Sequence, residues 1–171
     1  MDQVRQLKFT NEILKRKTEL RYGVKGQKKA DPNSLNLIFA AGDVLSEICE
    51  TGYKLVQVRY DQPLLQEADS HVFLGQRHGN DVWAHDFTSF VQENRAKYGF
   101  RKINKALKQD YPSKEFSFCD IRKNLTGFSD AESTIAGTSR SLLLWNSDNK
   151  FCTICGNKLF TEKLGWEKRC L

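Results

Sequence analysis

The sequence predicts an α+β fold: an antiparallel β-sheet domain with flanking helices, then a linking helix and a small cysteine-containing module. Three observations predict it. Short apolar segments alternate with polar residues and are separated by glycine-containing turns. A helix-start pattern begins at Ser129, and three cysteines lie at the C-terminal end of the chain. Together they indicate one sheet domain, one long helix and one small cysteine module.

Alternation of apolar and polar side chains predicts the strands. Two of them, joined by a polar turn that contains Gly79, form a predicted β-hairpin. Residues 35–48 carry two apolar patches whose type the pattern leaves open. His85 and Asp86 are neighbours on a strand and therefore point to opposite faces, so they form no simple catalytic dyad. The predicted strands are residues 55–60, 72–75, 82–87 and 116–121.

Helices are predicted from apolar spacing and from end signals. Residues 4–21 show loose helical spacing, and residues 22–34 are polar and glycine-rich, which indicates a loop. Residues 88–111 are basic and helical in tendency. Ser129 with Glu132 three residues later forms the capping-box pattern, in which each residue satisfies a free N–H of the other.

These segments predict four parts. A basic N-terminal segment spans residues 1–34, and the β-rich domain spans 35–128, with 88–114 as an insertion. The linking helix covers 129–150, and a ribbon covers 151–171.

Composition predicts the compartment. The chain has 171 residues, of which 39% are hydrophobic and 28% charged, as is typical of a globular protein. No stretch approaches the roughly 20 apolar residues of a membrane helix, so no membrane partner is expected. The first 21 residues lack the apolar core of a secretory signal, and Asp2, Glu12 and Glu19 argue against a transit peptide. We expect a cytoplasmic protein, although the pattern does not separate cytosol from mitochondrion or peroxisome.

The net charge of +6 comes largely from two basic runs. Cations at such spacing suit a polyanion, because counterion release favours association with phosphates. The alternative is a solvated helix face with no partner, since charge alone specifies no site. The runs are Lys8, Lys15, Arg16, Lys17, Arg21, Lys25, Lys28 and Lys29, then Arg95, Lys97, Arg101, Lys102, Lys105 and Lys108.

Five cysteines, an odd number, do not indicate a disulfide framework in an intracellular chain. Cys49 and Cys119 lie in apolar segments and are predicted to be buried structural thiols. Cys152, Cys155 and Cys170 have the spacing of three zinc ligands, with two thiolates gripping one ion across a tight turn.

Neighbouring residues support a zinc ribbon. Gly156 suits a position that needs positive φ, and Gly165 suits the turn of a hairpin that returns Cys170. Leu159, Phe160 and Trp166 are predicted to cover the turn between the paired cysteines. The alternatives are reduced structural thiols or a redox Cys-x-x-Cys pair, but a redox pair usually opens a helix after a strand.

Structural zinc takes four ligands, and the sequence supplies only three cysteines at ribbon spacing. Either the chain is a fragment that ends inside the ribbon, or another side chain completes the site. The candidates for that fourth ligand are His71, His78, His85, Cys49 and Cys119.

The order of segments resembles the NADH pyrophosphatases of the Nudix hydrolase superfamily, also called NAD-capped RNA hydrolases. The resemblance runs from about Val72 to the end of the chain, and the junction from the helix to Cys-x-x-Cys-Gly is its specific part. It is carried by Val72–Gly75, Val82–Phe87, Phe118–Arg122, Ser141–Trp145 and Asn149–Gly156.

The resemblance implies a β-rich N-terminal domain, a zinc ribbon and then a catalytic Nudix domain. Family members hydrolyse the diphosphate of NADH or NAD to nicotinamide mononucleotide and AMP, and some remove an NAD cap from RNA. Their Nudix-box glutamates hold Mg²⁺ or Mn²⁺, and the proteins are typically homodimers. This sequence has no Arg-Glu-x-x-Glu-Glu run, and Gln62-Pro63 is followed by leucine instead of tryptophan. We therefore expect a fragment or short form that is inactive alone.

A non-catalytic zinc-ribbon module that binds RNA or protein is the alternative. The ribbon offers cations for phosphates and aromatic rings for stacking. The residues concerned are Lys158, Lys163, Lys168, Arg169, Phe160 and Trp166.

Overall fold

The computed structural model describes residues 13–22, 31–50, 52–94 and 97–170. Within these ranges no helix combines the length and the apolar character needed to cross a membrane. The strands are β1 (Leu35–Ala40), β2 (Asp43–Cys49), β3 (Gly52–Leu55), β4 (Ser70–Arg77), β5 (Asn80–Asp86), β6 (Phe116–Cys119), β7 (Phe160–Glu162) and β8 (Glu167–Arg169). The helices are α1 (Glu19–Tyr22), α2 (Thr88–Glu93), α3 (Lys97–Asp110) and α4 (Asp130–Asp148). Short 3₁₀ turns cover Pro63–Glu67 and Lys163–Gly165.

Six strands form the main sheet in the order β3-β2-β1-β5-β4, with β6 also paired to β2. The predicted α+β class, with a mostly antiparallel sheet, is confirmed. One pair differs, because β1 runs parallel to β5 with Leu35 opposite Val82. Residues 35–48, whose type the sequence left open, form β1 and β2 at the centre of this sheet.

The predicted strand at 55–60 was wrong in its placement. The ladder between β3 and β2 runs from Gly52 to Leu55 and stops there. To extend further, β3 would have to pair with Val44 and Asp43 of β2. That end of β2 already pairs with β1 and β6. The chain therefore leaves β2, and Val58 forms a single bridge to Asn36 of β1 instead.

The predicted hairpin is confirmed as β4 and β5. Seven residue pairs join the two strands, from Ser70 opposite Asp86 to Arg77 opposite Asn80. His78 and Gly79 both adopt positive φ at its turn, at 52° and 85°. A two-residue turn with positive φ at both positions matches the right-handed twist of its strands.

The N-terminal segment meets this hairpin through one isolated β-bridge. Lys15 exchanges two backbone hydrogen bonds with Gln76, at 2.8 and 3.0 Å. A Cβ at Gly75 would lie 2.5 Å from the Lys15 carbonyl oxygen, so only glycine permits this approach. The helix predicted at 4–21 is wrong for residues 13–18, and α1 is the helical part of the described residues 13–22. Residues 4–12 and most of the predicted loop at 22–34 lie outside the described residues.

The two faces of the sheet bury separate apolar clusters. One face packs against α4, whose Ile135, Ala136 and Leu143 are buried there. The other face packs against α3, whose Ile103 and Leu107 are fully buried. Alternate residues of each strand point to opposite faces, so a single strand contributes to both clusters.

Helix α4 begins with the predicted capping box. The Ser129 hydroxyl accepts a hydrogen bond from the Glu132 N–H at 3.2 Å, and the Glu132 carboxylate accepts one from the Ser129 N–H at 3.1 Å. The second Glu132 oxygen accepts the Leu55 N–H at 3.1 Å. This last bond fixes the start of α4 to the end of β3. The boundaries of the four predicted parts stay a prediction.

Candidate metal centre

The sulfur atoms of Cys152, Cys155 and Cys170 form one cluster, in which all lie within 4.8 Å of one another. The Sγ atoms of Cys155 and Cys170 lie 3.3 Å apart. No other His, Cys, Asp or Glu of the described residues joins the cluster. The three cysteines could bind one metal ion.

A tight turn brings the first two sulfurs together. The Cys152 N–H donates to the Asn157 carbonyl at 2.7 Å, and the Gly156 N–H donates to the Cys152 carbonyl at 2.9 Å. Gly156 has a φ of 74°, as its sequence position predicted. No helix begins at Cys152, which argues against the redox Cys-x-x-Cys alternative.

Hydrogen bonds around the cluster give the Cys152 and Cys170 thiols different pKa values. The backbone N–H of Cys155 and then that of Ile154 favour the thiolate and lower the pKa of Cys152 to about 7. Hydrogen bonding with Cys155 favours the protonated form and raises the pKa of Cys170 to about 11. A bound cation would reverse the second effect, because it holds a thiol as a thiolate.

Strands β7 and β8 form the hairpin that returns Cys170 to the cluster. Three successive residues at its turn, Lys163, Leu164 and Gly165, adopt positive φ. At Gly165 an added Cβ would lie 2.7 Å from the Cγ2 atom of Val72 on β4. The turn therefore packs directly on the sheet domain, and glycine is required for that contact.

Two polar side chains hold this hairpin to the domain. The Trp166 Nε1–H donates to the Phe73 carbonyl of β4 at 2.5 Å, and the Arg21 guanidinium lies 3.7 Å from the centre of the indole ring. On the other side, the Asn146 amide of α4 donates to the Gly165 carbonyl at 2.7 Å. These contacts fix the ribbon between β4 and α4.

The predicted aromatic cover over the cysteines was wrong for Trp166. Phe160 is 46% exposed, and Trp166 packs against β4 and Arg21 instead. A sequence shows that an aromatic residue lies near a cysteine, but not which of two apolar surfaces it meets. The contact between Trp166 and β4 joins residues far apart in the chain, so no local pattern indicates it.

The candidate fourth ligands lie elsewhere. His71 and His85 are 2.7 Å apart through their Nδ1 atoms, and the His85 Nε2 atom is 3.1 Å from the Asn36 Oδ1 atom. Cys119, at the end of strand β6, is buried, as predicted, whereas Cys49 is only half-buried. Neither these residues nor His78 join the cysteine cluster.

Most cations of the ribbon have partners within it. Lys163 pairs with Glu167, and Arg169 pairs with Glu162 at 2.8 Å. Lys168 donates to the Thr161 hydroxyl at 2.7 Å and to the Asn146 carbonyl at 3.1 Å. The basic residues that would suit a polyanion are thus largely used to hold the hairpin.

Comparison with known proteins assigns the sheet domain. A family model described as NADH pyrophosphatase-like rudimentary NUDIX domain matches residues 33–145. No curated protein matches the chain. The matched span runs from just before β1 into α4, and the cysteine cluster follows it directly. This match confirms the resemblance predicted from the sequence. The chain belongs to the family of NADH pyrophosphatase-like rudimentary NUDIX domains.

Proposed function

We propose that Cys152, Cys155 and Cys170 hold a structural zinc ion. The donor set supports this, because soft thiolates select zinc and suit its tetrahedral geometry. The tight turn at Gly156 and the hairpin that returns Cys170 already place the sulfurs within 4.8 Å of one another. Zinc would join the two ends of the ribbon and need one further ligand from outside this cysteine set.

We propose further that this chain is the N-terminal, non-catalytic part of a Nudix hydrolase that cleaves the diphosphate of NADH or NAD. The observation that carries this is the order of parts: the matched domain is followed at once by a cysteine ribbon docked on it through Trp166. The sequence contains no Nudix box, so Mg²⁺ or Mn²⁺ and the catalytic glutamates would belong to a separate catalytic domain.

The sheet domain and the ribbon of this chain would then support the catalytic domain structurally. The ribbon packs on a surface of the sheet domain where Gly165 meets Val72. A catalytic domain attached after the ribbon would be positioned by that surface. Removal of an NAD cap from RNA is a narrower activity within the same proposal. The same proposal includes a homodimeric state for the hydrolase. A cytosolic location suits the five free cysteines.

Two measurements test the proposal. Sequencing the native transcript beyond the Leu171 codon should show another cysteine within a few codons and then a Nudix box. A stop codon at that point would contradict the hydrolase assignment. Second, the purified chain incubated with NADH and Mg²⁺ or Mn²⁺ should release no AMP by chromatography, because the metal-binding glutamates of the box are absent.

A second candidate is a module that binds RNA through the ribbon. The observation in its favour is exposure: Phe151 is 63% and Phe160 46% exposed, and Lys158 lies on the same ribbon surface. Filter binding of a single-stranded RNA at low and high salt tests it. Binding should weaken steeply with salt and should fall on Phe160→Ala, while no binding at low salt would exclude it.

A further inference from the structure

A small cavity lies between the sheet and the start of α4, and none of the cysteines lines it. Its volume is about 260 Å³. Leu35 and Val82 are register partners on β1 and β5, and Leu37 follows on the same face of β1. Leu55 of β3 and Ile135 of α4 complete an apolar floor. The cavity is therefore built by four elements whose positions the core fixes.

Two basic residues, Lys54 and Arg77, are among those that line this cavity. Among the described residues, no salt bridge includes either of them. Lys54 lies opposite Glu47 in the register of β2 and β3. The Glu47 carboxylate instead pairs with Lys114 at 2.7 Å. Cross-strand partners share one face of the sheet, so the Lys54 side chain lies with Glu47 on the face opposite Leu55, and Arg77 is the cation on the cavity's face.

One carboxylate, that of Glu132, also lines the cavity, and donors surround it. Its Oε1 atom accepts the Leu55 N–H at 3.1 Å. Its Oε2 atom accepts the Ser129 N–H at 3.1 Å and the Ser129 hydroxyl at 2.7 Å. Because both oxygens are hydrogen-bonded, this carboxylate is a poor partner for a ligand cation. Arg77, which no salt bridge of the described residues includes, is therefore the group that can pair with an anionic ligand.

We propose that this cavity binds a small carboxylic acid that has an apolar body of one ring or its aliphatic equivalent. The size follows from the volume: cavities of about 150 Å³ take benzene, and sites for drug-sized ligands begin at roughly 300 Å³. The ring would fill the floor formed by Leu35, Leu55 and Ile135. The carboxylate would meet Arg77, whose planar guanidinium matches its geometry. This proposal is independent of the hydrolase assignment.

The test uses three probes of graded chemistry on the purified full chain. 3-Phenylpropionate has both features, 3-phenylpropionamide keeps the ring without the charge, and propionate keeps the charge without the ring. Amide chemical shifts of Leu35, Leu55 and Ile135 should move saturably with 3-phenylpropionate. 3-Phenylpropionamide should bind at least about tenfold more weakly, since it lacks the charge-assisted hydrogen bonds of the carboxylate. Propionate should give no saturable shift.

Variants assign the binding to these residues. Arg77→Gln should abolish the preference for the acid over the amide while the amide still binds. Leu35→Phe should fill the cavity and block both probes, and a dispersed amide spectrum establishes that this variant is folded. Arg101→Gln removes the same charge from α3, outside the cavity, and should leave binding unchanged.

Three results would overturn the proposal. These are no saturable shift with any probe, equal affinity for acid and amide, or an equal loss in Arg77→Gln and Arg101→Gln. None of them bears on the Nudix assignment, because the experiment needs no catalytic domain.

Discussion

The indole N–H of Trp166 donates a 2.5 Å hydrogen bond to the backbone carbonyl of Phe73, which joins the ribbon hairpin to strand β4. Gly165, the residue before Trp166, packs on Val72, the residue before Phe73. Two neighbouring residues of the hairpin thus meet two neighbouring residues of the strand. The ribbon is held by specific contacts with the sheet domain, and those contacts can be tested separately from the metal.

Trp166→Phe should destabilise the chain by about 1–3 kcal/mol, because the Phe73 carbonyl loses its donor and Arg21 loses the larger ring. Urea unfolding measures this change. Phe160→Leu is the matched control, since Phe160 is largely exposed and should cost under about 0.5 kcal/mol. Equal costs for the two variants would mean that the bond to Phe73 contributes little.

Gly165→Ala should cost more than Gly79→Ala. Both glycines have positive φ, at 99° and 85°, and both variants carry a backbone penalty of about 1–2 kcal/mol. Only at Gly165 would the new Cβ clash, because the Val72 side chain lies 2.7 Å away, whereas nothing lies within 4 Å at Gly79. Overpacking adds about 1–3 kcal/mol. Thermal unfolding of both variants compares them, and a smaller loss for Gly165→Ala would contradict the close packing.

Cys152→Ser, Cys155→Ser and Cys170→Ser should each lower the zinc content of the purified protein to well below one ion per chain. A hydroxyl is a poor substitute for a thiolate ligand of zinc. Mass spectrometry of the metal measures this. Cys49→Ser is the control, because Cys49 lies on β2 and outside the cluster. Wild-type protein without zinc, or zinc retained in all three variants, would refute the assignment of these ligands.

Stability should fall as the pH rises above about 9, because of Cys119. Burial, followed by the charges of Asp43 and Asp120, raises the pKa of this thiol from 9.0 to about 11. A raised folded-state pKa contributes stability that is complete below the unfolded pKa and is lost as the pH passes from 9 to 11. Urea unfolding between pH 8 and 11 should show the decline, and Cys119→Ala should flatten it. After removal of zinc with a chelator, Cys119 should also resist iodoacetamide at pH 8, whereas exposed Cys155 should react.

The histidine pair should have fixed tautomers. The Asn36 amide donates to the Val58 carbonyl and to Ser34, so its Oδ1 atom faces His85 as an acceptor. His85 should therefore be protonated at Nε2, and His71 should donate from Nδ1 to the bare Nδ1 of His85. Long-range ¹H–¹⁵N NMR at neutral pH distinguishes the tautomers. A His85 ring protonated at Nδ1 would contradict this network.

Features encoded by neighbouring residues could be predicted from the sequence. Ser129 and Glu132 identify the start of α4, because the capping box acts over three residues. Gly79 identifies the β4–β5 turn, and the spacing of Cys152 and Cys155 identifies the metal turn. In each case the chemistry that fixes the structure is local.

Features that depend on distant partners could not be predicted. The run at β1 is apolar on both faces because the strand is central, and such a run is ambiguous between helix and strand. The end of β3 at Leu55 depends on which strands pair with β2, and alternation at Val56 and Val58 continues after pairing has ended. Trp166 likewise meets a strand that its own neighbours do not specify.

The parallel pair of β1 and β5 has a consequence for the folding reaction. Antiparallel neighbours such as β4 and β5 can form from a tight turn, but β1 meets β5 only after the whole intervening chain has been arranged. Closing so long a loop costs entropy before its contacts are gained, which slows folding. The β4–β5 hairpin should therefore acquire hydrogen-exchange protection early in refolding, and Leu37 and Ile38 of β1 should acquire it in the rate-limiting step.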